Sequence, residues 1–139
     1  MRAALMTLAA ATARRLPLKA RLALYRLGPL TWVLRGALNR AAPGGIRPVR
    51  IASGDLAGMW LLLDLRVDKD LWLGTYEPEI AEAIRRLAPA GGVAYDLGAN
   101  VGYAALLLAR AVGPSGQVFA FEPLPENLER LRGAISHNG

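Results

Sequence analysis

The strongest hydrophobic pattern lies in the last third of the chain, where short apolar runs alternate with longer amphipathic stretches. Residues 93–97 and 117–121 are short apolar runs of strand length, whereas 103–112 and 126–136 place apolar residues at helical intervals. A turn containing two glycines, 98–102, separates the first strand from the first helix. The order strand, turn, helix, strand, helix predicts a parallel sheet with right-handed crossovers, and therefore a doubly wound α/β fold.

Before this segment, the pattern predicts a small β-hairpin followed by one helix. Residues 49–53 and 59–65 have the composition of two short strands, with a turn at Gly54-Asp55 between them. A helix is expected to begin at Pro78, since proline is well tolerated in the first helical turn. The apolar stripe predicted to be buried on this helix consists of Ile80, Ala83, Ile84 and Leu87.

The first 45 residues predict an arm of helices. An apolar stripe at near-helical spacing ends at Gly28-Pro29, and a second stripe then repeats at i, i+3, i+4, i+7 and i+8. If these stripes pack on the rest of the protein, the arginines between them face solvent. The first stripe consists of Leu5, Leu8, Thr12, Leu16, Leu18, Leu22 and Tyr25, and the second of Leu30, Val33, Leu34, Ala37 and Leu38.

Charge also separates the arm from the rest of the chain. Residues 1–54 contain ten Lys or Arg and no acid, whereas residues 55–139 contain seven bases and eleven acids. We therefore predict a basic amphipathic helical arm over 1–45, a β-hairpin and helix leading into the core over 46–92, and the first half of an α/β domain over 93–139.

Three roles are open to the basic arm. Its helices can pack on the rest of the chain or on a second subunit, they can lie on an anionic membrane surface, or the segment from Met1 to Ala13 can be a cleaved signal peptide. Arg14 and Arg15 directly follow that segment, which disfavours the signal peptide. Nucleic acid is not an expected partner, because no aromatic residues are interleaved for stacking on bases.

Composition gives the expected cellular context. The chain has no cysteine, so disulfides and thiolate metal sites are excluded, and no metal site is predicted. No apolar run approaches the ~18 residues typical of a membrane span. We expect a cytoplasmic protein, with membrane association through the arm as the alternative.

Four residues at the predicted strand ends carry candidate binding chemistry. Asp96 and Glu122 end the two strands, and Gly98 and Gly102 lie in the turn. Ligands of doubly wound sheets bind beyond the carboxyl ends of the strands, so these residues should meet in one cleft. Dinucleotide-binding turns have glycine where Asp96 stands, and a carboxylate there would repel a pyrophosphate. The pattern instead suits a ligand with an ammonium group and no phosphate, such as S-adenosylmethionine.

Each of these positions has a structural explanation as well as a functional one. Asp96 can be a helix cap, Gly102 can serve close packing, and Asn100 can be a residue that tolerates a left-handed turn. The functional interpretation rests on their combination. Gly98 allows close approach of the backbone, the helix N-terminus can face a carboxylate, and Glu122 can accept hydrogen bonds from both ribose hydroxyls.

Three stretches resemble the FkbM family of class I S-adenosylmethionine-dependent methyltransferases: residues 74–79 (GTYEPE), residues 95–103 (YDLGANVGY) and residues 119–123 (FAFEP). The resemblance covers residues 70–139. It implies a Rossmann-like fold, S-adenosylmethionine as the methyl donor, and a hydroxyl acceptor on a glycan or another small natural product. The cofactor-binding residues that it implies are Asp96, Gly98, Asn100, Gly102, Tyr103, Glu122, Tyr76 and Glu77.

The resemblance also predicts that the chain is an N-terminal fragment of such an enzyme. It supplies two strands of the main sheet where a complete domain has several more, so we expect a sheet edge and helix faces without cover, and no activity from the fragment alone. The catalytic residues and the oligomeric state are not predicted. The alternatives are an inactive fragment that binds a membrane or partner through its arm, and an NAD-linked oxidoreductase, which Asp96 disfavours.

Overall fold

The computed structural model describes residues 2–24 and 28–139 and is a mixed α/β structure. By its contacts the chain forms two compact units, one of Met1–Gly58 with Leu63–Tyr76 and one of Met59–Leu62 with Glu77–Gly139. The predicted three-part division of the chain stays a prediction. The elements in chain order are α1 (Arg2–Arg15), α2 (Leu18–Leu24), α3 (Pro29–Ala41), β1 (Arg47–Arg50), β2 (Trp60–Leu63), α4 (Lys69–Leu73), α5 (Pro78–Leu87), β3 (Val93–Leu97), α6 (Tyr103–Val112), β4 (Gln117–Phe121) and α7 (Pro125–Asn138).

The helices of the arm form as predicted, but the predicted stripes are only partly buried among the described side chains. In α1, which packs against α3, Leu8 is 63% exposed and the buried residue is Ala13. In α3, Val33 is 58% exposed and Leu38 is buried. The small side chain of Ala13 permits close packing of a kind that hydrophobic periodicity does not reveal. Tyr25 of the first stripe lies outside the described residues.

Two cations of the first unit are buried, and the burial of Arg21 is contrary to the expectation that the arginines of the arm face solvent. Arg21 in α2 donates to Ser53 Oγ at 2.5 Å, to the Gly74 carbonyl at 3.3 Å and to the Leu73 carbonyl. Lys69 in α4 donates to the Arg66 carbonyl at 2.6 Å and to Asn39 Oδ1. A buried cation is costly unless acceptors surround it, and backbone carbonyls meet that need here.

The predicted hairpin is present, and a short helix that the sequence pattern did not indicate follows it. β1 and β2 form a two-stranded sheet. β2 is shorter than the predicted strand at 59–65, and β1 begins and ends earlier than the predicted strand at 49–53. The turn between them closes where the Ala57 N–H donates to the Gly54 carbonyl at 3.0 Å. The unpredicted helix is α4, which ends at Gly74 in the left-handed conformation. At five residues, α4 is too short for its apolar spacing to show a helical period.

The second unit contains the predicted parallel sheet. β3 pairs with β4 in parallel, with Val93 opposite Gln117, Tyr95 opposite Phe119 and Leu97 opposite Phe121. This pairing confirms the strand order and direction expected from the sequence. The helix α6 connects the two strands and packs on both of them.

The two faces of this sheet differ in their cover. A core of small and branched side chains, including Ala99, Ala105 and Leu131, packs with Ala120 on the helical side. The opposite face remains 43–79% exposed, although it is apolar and the rings of Tyr95 and Phe119 stack across it at 5.3 Å. Parallel sheets are normally covered on both faces. The side chains of the exposed face are Val93, Tyr95, Leu97, Phe119 and Phe121.

The helix α5 buries a different residue from those predicted. In α5, Ala81 is buried whereas Ile80 and Leu87 are exposed, so the predicted stripe is wrong. The side of α5 that is covered is the one that packs on α6. An apolar period shows which residues share a helix face, but it does not show which neighbouring element covers that face.

In the second unit, the end of α7 is attached to residues 59–62. Asn138 Oδ1 accepts from the Trp60 N–H at 2.9 Å, and its Nδ2 donates to the Trp60 carbonyl at 2.8 Å.

Among the described residues, none of the helices combines the length and the apolar character that crossing a membrane requires.

Candidate functional site

The glycine turn between β3 and α6 is bound to the end of β4 by backbone hydrogen bonds. The N–H groups of Gly98 and Ala99 both donate to the Phe121 carbonyl at 2.9 Å. The Gly102 N–H then donates to the Ala99 carbonyl at 2.8 Å, which closes the turn. The carboxyl ends of the two strands therefore meet in one place, as the sequence predicts.

Glu122 connects the turn to the segment that leads into α7. Its Oε2 accepts the Asn100 N–H at 2.8 Å, and its Oε1 accepts the Leu124 N–H at 2.9 Å. Both carboxylate oxygens are thus held by backbone donors from the two loops at the strand ends. An ionised carboxylate has about four acceptor positions, so two remain for another ligand.

The conformation of the turn explains its residue types. Asn100 has a φ of 49°, a left-handed conformation that asparagine tolerates better than most residues. Gly98 has a φ of 87°, and a Cβ added there would meet no atom within 4 Å. Its backbone therefore lies open to close approach by another molecule. Gly102 serves packing, because a Cβ there would lie 2.9 Å from Leu131 Cδ1 of α7.

Asp96 lies on the covered side of the sheet, facing the start of α6. Burial raises the pKa of its carboxyl above the ordinary value of 3.8, and a hydrogen bond from the Ala105 N–H lowers it by a smaller amount. The Oδ2 atom is buried and has no hydrogen-bond partner among the described residues. A carboxylate in this state is costly to the fold, which is typical of groups retained for binding or catalysis.

We expect Asp96→Asn to raise the free energy of unfolding at neutral pH. A raised pKa in the folded state means that Asp96 stabilises the protein most when it is protonated, and that this contribution is lost as pH rises through the folded-state pKa. Asparagine keeps an acceptor for Ala105 and removes the buried charge. Urea unfolding of both proteins between about pH 4 and pH 7 should show a gain that shrinks towards acid.

The control for this prediction is Glu79→Gln, which changes an exposed acid in the same unit. It should show no gain of comparable size at any pH. If Asp96→Asn is instead less stable at neutral pH, the ionised carboxylate is stabilised by the N-terminus of α6, and the side chain is a helix cap.

The structure brings together six of the eight residues implicated by the sequence. Asp96, Gly98, Asn100, Gly102, Tyr103 and Glu122 all lie at the carboxyl ends of β3 and β4 or at the start of α6. Tyr103 is buried at the first position of α6, so its ring packs inside the unit.

The other two implicated residues lie apart along the chain. Glu77 caps α5 in a left-handed conformation with a φ of 39°, which is strained for glutamate. Tyr76 is partly exposed and belongs to the first unit. Their contact with a cofactor stays a prediction.

One feature of the site and one set of contacts within the first unit were not predicted. The Phe121 carbonyl accepts hydrogen bonds from two N–H groups of the turn. Every residue has a backbone carbonyl, so its role cannot be inferred from the residue type. Arg21 binds the carbonyls that precede Thr75 and Tyr76, and one signal was present: Arg21 lies three residues after Leu18, on the apolar stripe of its helix.

Comparison with known proteins adds no relative to these observations. A scan against protein-family models, a search of curated proteins and a search of solved structures each found no match to the chain.

Proposed function

We propose that the second unit is the cofactor-binding part of a Rossmann-like class I methyltransferase of the FkbM type. The cofactor is S-adenosylmethionine, and the acceptor is a hydroxyl oxygen of a sugar or another natural product. The observation that carries the proposal is the attachment of the glycine turn to Glu122, which brings an acid and an open backbone to the same strand ends.

Glu122 fits the ribose of such a cofactor. Its carboxylate is oriented by the Asn100 and Leu124 N–H groups, so it is fixed before a ligand arrives. The acceptor positions that remain suit two neighbouring hydroxyl donors. A preformed acceptor loses little conformational entropy on binding, which favours tight recognition.

Asp96 and Gly98 fit the amino-acid end of the cofactor. Gly98 leaves open space beside the backbone, and Asp96 places a carboxylate with an unpartnered Oδ2 on the same strand end. A negative charge here favours an ammonium group and disfavours a pyrophosphate. The residues present therefore fit S-adenosylmethionine better than a dinucleotide.

The chemistry proposed for this site is methyl transfer to oxygen. S-adenosylmethionine supplies an already activated methyl group, so the protein's main task is to hold donor and acceptor in line. On the donor side, Glu122 would hold the ribose, and Asp96 and Gly98 would hold the amino-acid end. We assign no general base, since His137 is exposed at the end of α7 with its Nδ1 2.8 Å from the Gly133 carbonyl.

Calorimetric titration of the purified chain with S-adenosylmethionine and, separately, with NAD tests the proposal. We expect micromolar binding of the first and no binding of the second. Binding of NAD alone would support an oxidoreductase instead. If neither binds and the chain shows no cooperative thermal transition, the view of an inactive fragment that acts through its arm is favoured.

Replacement of Glu122 should weaken the binding of S-adenosylmethionine. We expect Glu122→Ala to cost roughly 1–3 kcal/mol of binding free energy, because buried ribose hydroxyls lose a charged acceptor. Glu122→Gln, which keeps one oxygen, should cost less. Calorimetry gives the affinities, and thermal unfolding without ligand reports separately on the lost hydrogen bonds to Asn100 and Leu124.

The matched control is Glu126→Gln, which neutralises an exposed acid in the first turn of α7. It should leave the affinity unchanged within about twofold. Unchanged affinity in Glu122→Ala would refute the ribose assignment.

A further inference from the structure

The two compact units of the chain carry opposite net charge. The first unit contains twelve of the seventeen bases and four of the eleven acids, whereas the second contains five bases and seven acids. Twelve bases and four acids give the first unit a net charge of +8, which is suited to a polyanionic partner. The first unit is the candidate for that contact.

At the surface of the first unit, the excess of positive charge is reinforced because its acids are more buried than many of its bases. Its four acids, Asp55, Asp64, Asp68 and Asp70, are each partly buried. Several of its bases are exposed instead: Arg14, Arg15, Lys19, Arg40, Arg47 and Arg50. The exposed charge of this unit is therefore dominated by bases, which favours contact with an anionic surface.

The helix α3 adds apolar groups to this basic surface. Trp32 is 80% exposed and Val33 beside it is 58% exposed. With 3.6 residues per turn, Trp32, Val33 and Arg40 lie within an arc of about 100°, and Leu38, which is buried, lies on the opposite side. One face of α3 packs within the unit, and the other presents an indole, an isopropyl group and a guanidinium to solvent.

The helix α1 repeats this combination. Leu8 and Arg15 are seven residues apart, so they lie on the same side of the helix, and both are exposed. Ala13, which is buried, lies on the other side. Exposed apolar residues flanked by bases therefore occur on two helices that pack against each other.

We propose that the first unit docks on an anionic lipid bilayer through the exposed faces of α1 and α3. The bases attract the acidic headgroups, while Trp32, Val33 and Leu8 enter the boundary between headgroups and acyl chains, where tryptophan is favoured. The apolar side chains favour a bilayer over a nucleic acid, because Trp32 is the single aromatic side chain described on this surface and nucleic-acid grooves use a series of them. This docking does not depend on the proposed methyl transfer.

Vesicle flotation of the full chain tests the electrostatic part. We expect binding to phosphatidylcholine vesicles that contain about a quarter phosphatidylglycerol, and loss of binding when salt is raised to about 0.5 M, because screening weakens surface attraction. The double variant Arg15→Glu with Arg40→Glu, one base from each helix, should bind roughly tenfold more weakly or worse. Neither residue lies in the candidate cofactor site.

The matched control reverses two exposed bases of the second unit, Arg86→Glu with Arg132→Glu. Both double variants lower the net charge by the same amount, so a nonspecific effect of total charge would weaken them equally. We expect the control to bind within about twofold of the unaltered chain. Equal weakening of the two would overturn the proposal.

Replacement of Trp32 tests the apolar part. In the unaltered chain, tryptophan fluorescence should shift to shorter wavelength when anionic vesicles are added, since Trp32 is exposed, whereas Trp72 is already buried and Trp60 is partly buried in the second unit. Trp32→Ser should abolish most of that shift and weaken flotation by roughly tenfold, with an unchanged thermal transition. Trp32→Phe should retain flotation.

Two results would overturn the docking proposal outright. One is equal flotation with neutral phosphatidylcholine vesicles and with anionic vesicles. The other is tight, salt-sensitive binding to a short DNA or RNA duplex together with no flotation, which would identify a nucleic acid as the polyanion.

Discussion

Gly74→Ala should destabilise the first unit by about 3 kcal/mol or more, because the added methyl group has no room. A Cβ at this position would lie 2.1 Å from the Ser53 carbonyl oxygen and 2.6 Å from its carbonyl carbon. These are backbone atoms, so a side-chain rotation cannot relieve the overlap. We expect a lower urea midpoint, measured by circular dichroism.

The reason for this close approach is that two backbone turns meet at Gly54 and Gly74. A Cβ on Gly54 would in turn lie 2.9 Å from Gly74 Cα. The adjoining segments are also joined by the Ala52 N–H, which donates to the Trp72 carbonyl at 2.9 Å. Separation of the turns to admit a methyl group would strain or break that hydrogen bond.

The control for Gly74→Ala is Gly58→Ala. Gly58 has a φ of 89°, and a Cβ added there would meet nothing within 4 Å. Its substitution therefore measures the conformational cost of a positive φ alone, about 1–2 kcal/mol. Equal losses in the two variants would show that conformation, and not steric overlap, determines the requirement for glycine at position 74.

Most elements of the second unit could be predicted from the sequence. The bounds of β3, α6 and β4 coincide with the predicted runs, and the two strands pair in parallel. Prediction succeeds here because each element is short and uniform in composition and is bounded by glycine or proline. Such boundaries are local properties of the chain, so no tertiary information is needed to locate them.

The buried faces could not be predicted to the same degree. Leu8, Val33 and Leu87 occupy apolar stripes and are nevertheless exposed, whereas Ala13 and Ala81 are buried. A stripe shows which residues share a helix face, but burial depends on a second surface that the stripe does not specify. The exposed apolar face of the β3–β4 sheet illustrates the same limit, since nothing in the period of a strand shows whether a layer covers it.

The candidate site was predicted in its residues but not in its hydrogen bonds. The order of Asp96, Gly98, Gly102 and Glu122 placed them at the strand ends, where the structure has them. The bonds from Glu122 to the Asn100 and Leu124 N–H groups involve backbone donors, which every residue carries. The sequence alone does not distinguish a carboxylate that orients a loop from one that binds a ligand.

Arg21 attaches the arm to the rest of the first unit. Replacement of Arg21 should therefore cause a second large loss of stability. Arg21→Met keeps the length of the side chain and removes every donor to Ser53, Leu73 and Gly74. We expect a loss of about 3 kcal/mol in the free energy of unfolding, since hydrogen bonds from a charged donor to buried acceptors are among the stronger ones. Arg21→Lys keeps the charge but not the branched donor geometry, and should recover part of that loss.

The location of the effect distinguishes Arg21 from an ordinary core residue. Because its guanidinium binds the last carbonyl of α4 and the one that follows, its loss should loosen the segment that leads to Tyr76 before the unit unfolds. Hydrogen exchange should therefore accelerate first at the Thr75 N–H, which donates to the Asp70 carbonyl at 2.9 Å. The control Arg15→Met, at an exposed position of α1, should change stability by less than about 0.5 kcal/mol. If Arg21→Met accelerates exchange uniformly across the first unit, Arg21 stabilises the fold as a whole, and the arm has no specific part in positioning the Gly74–Tyr76 segment.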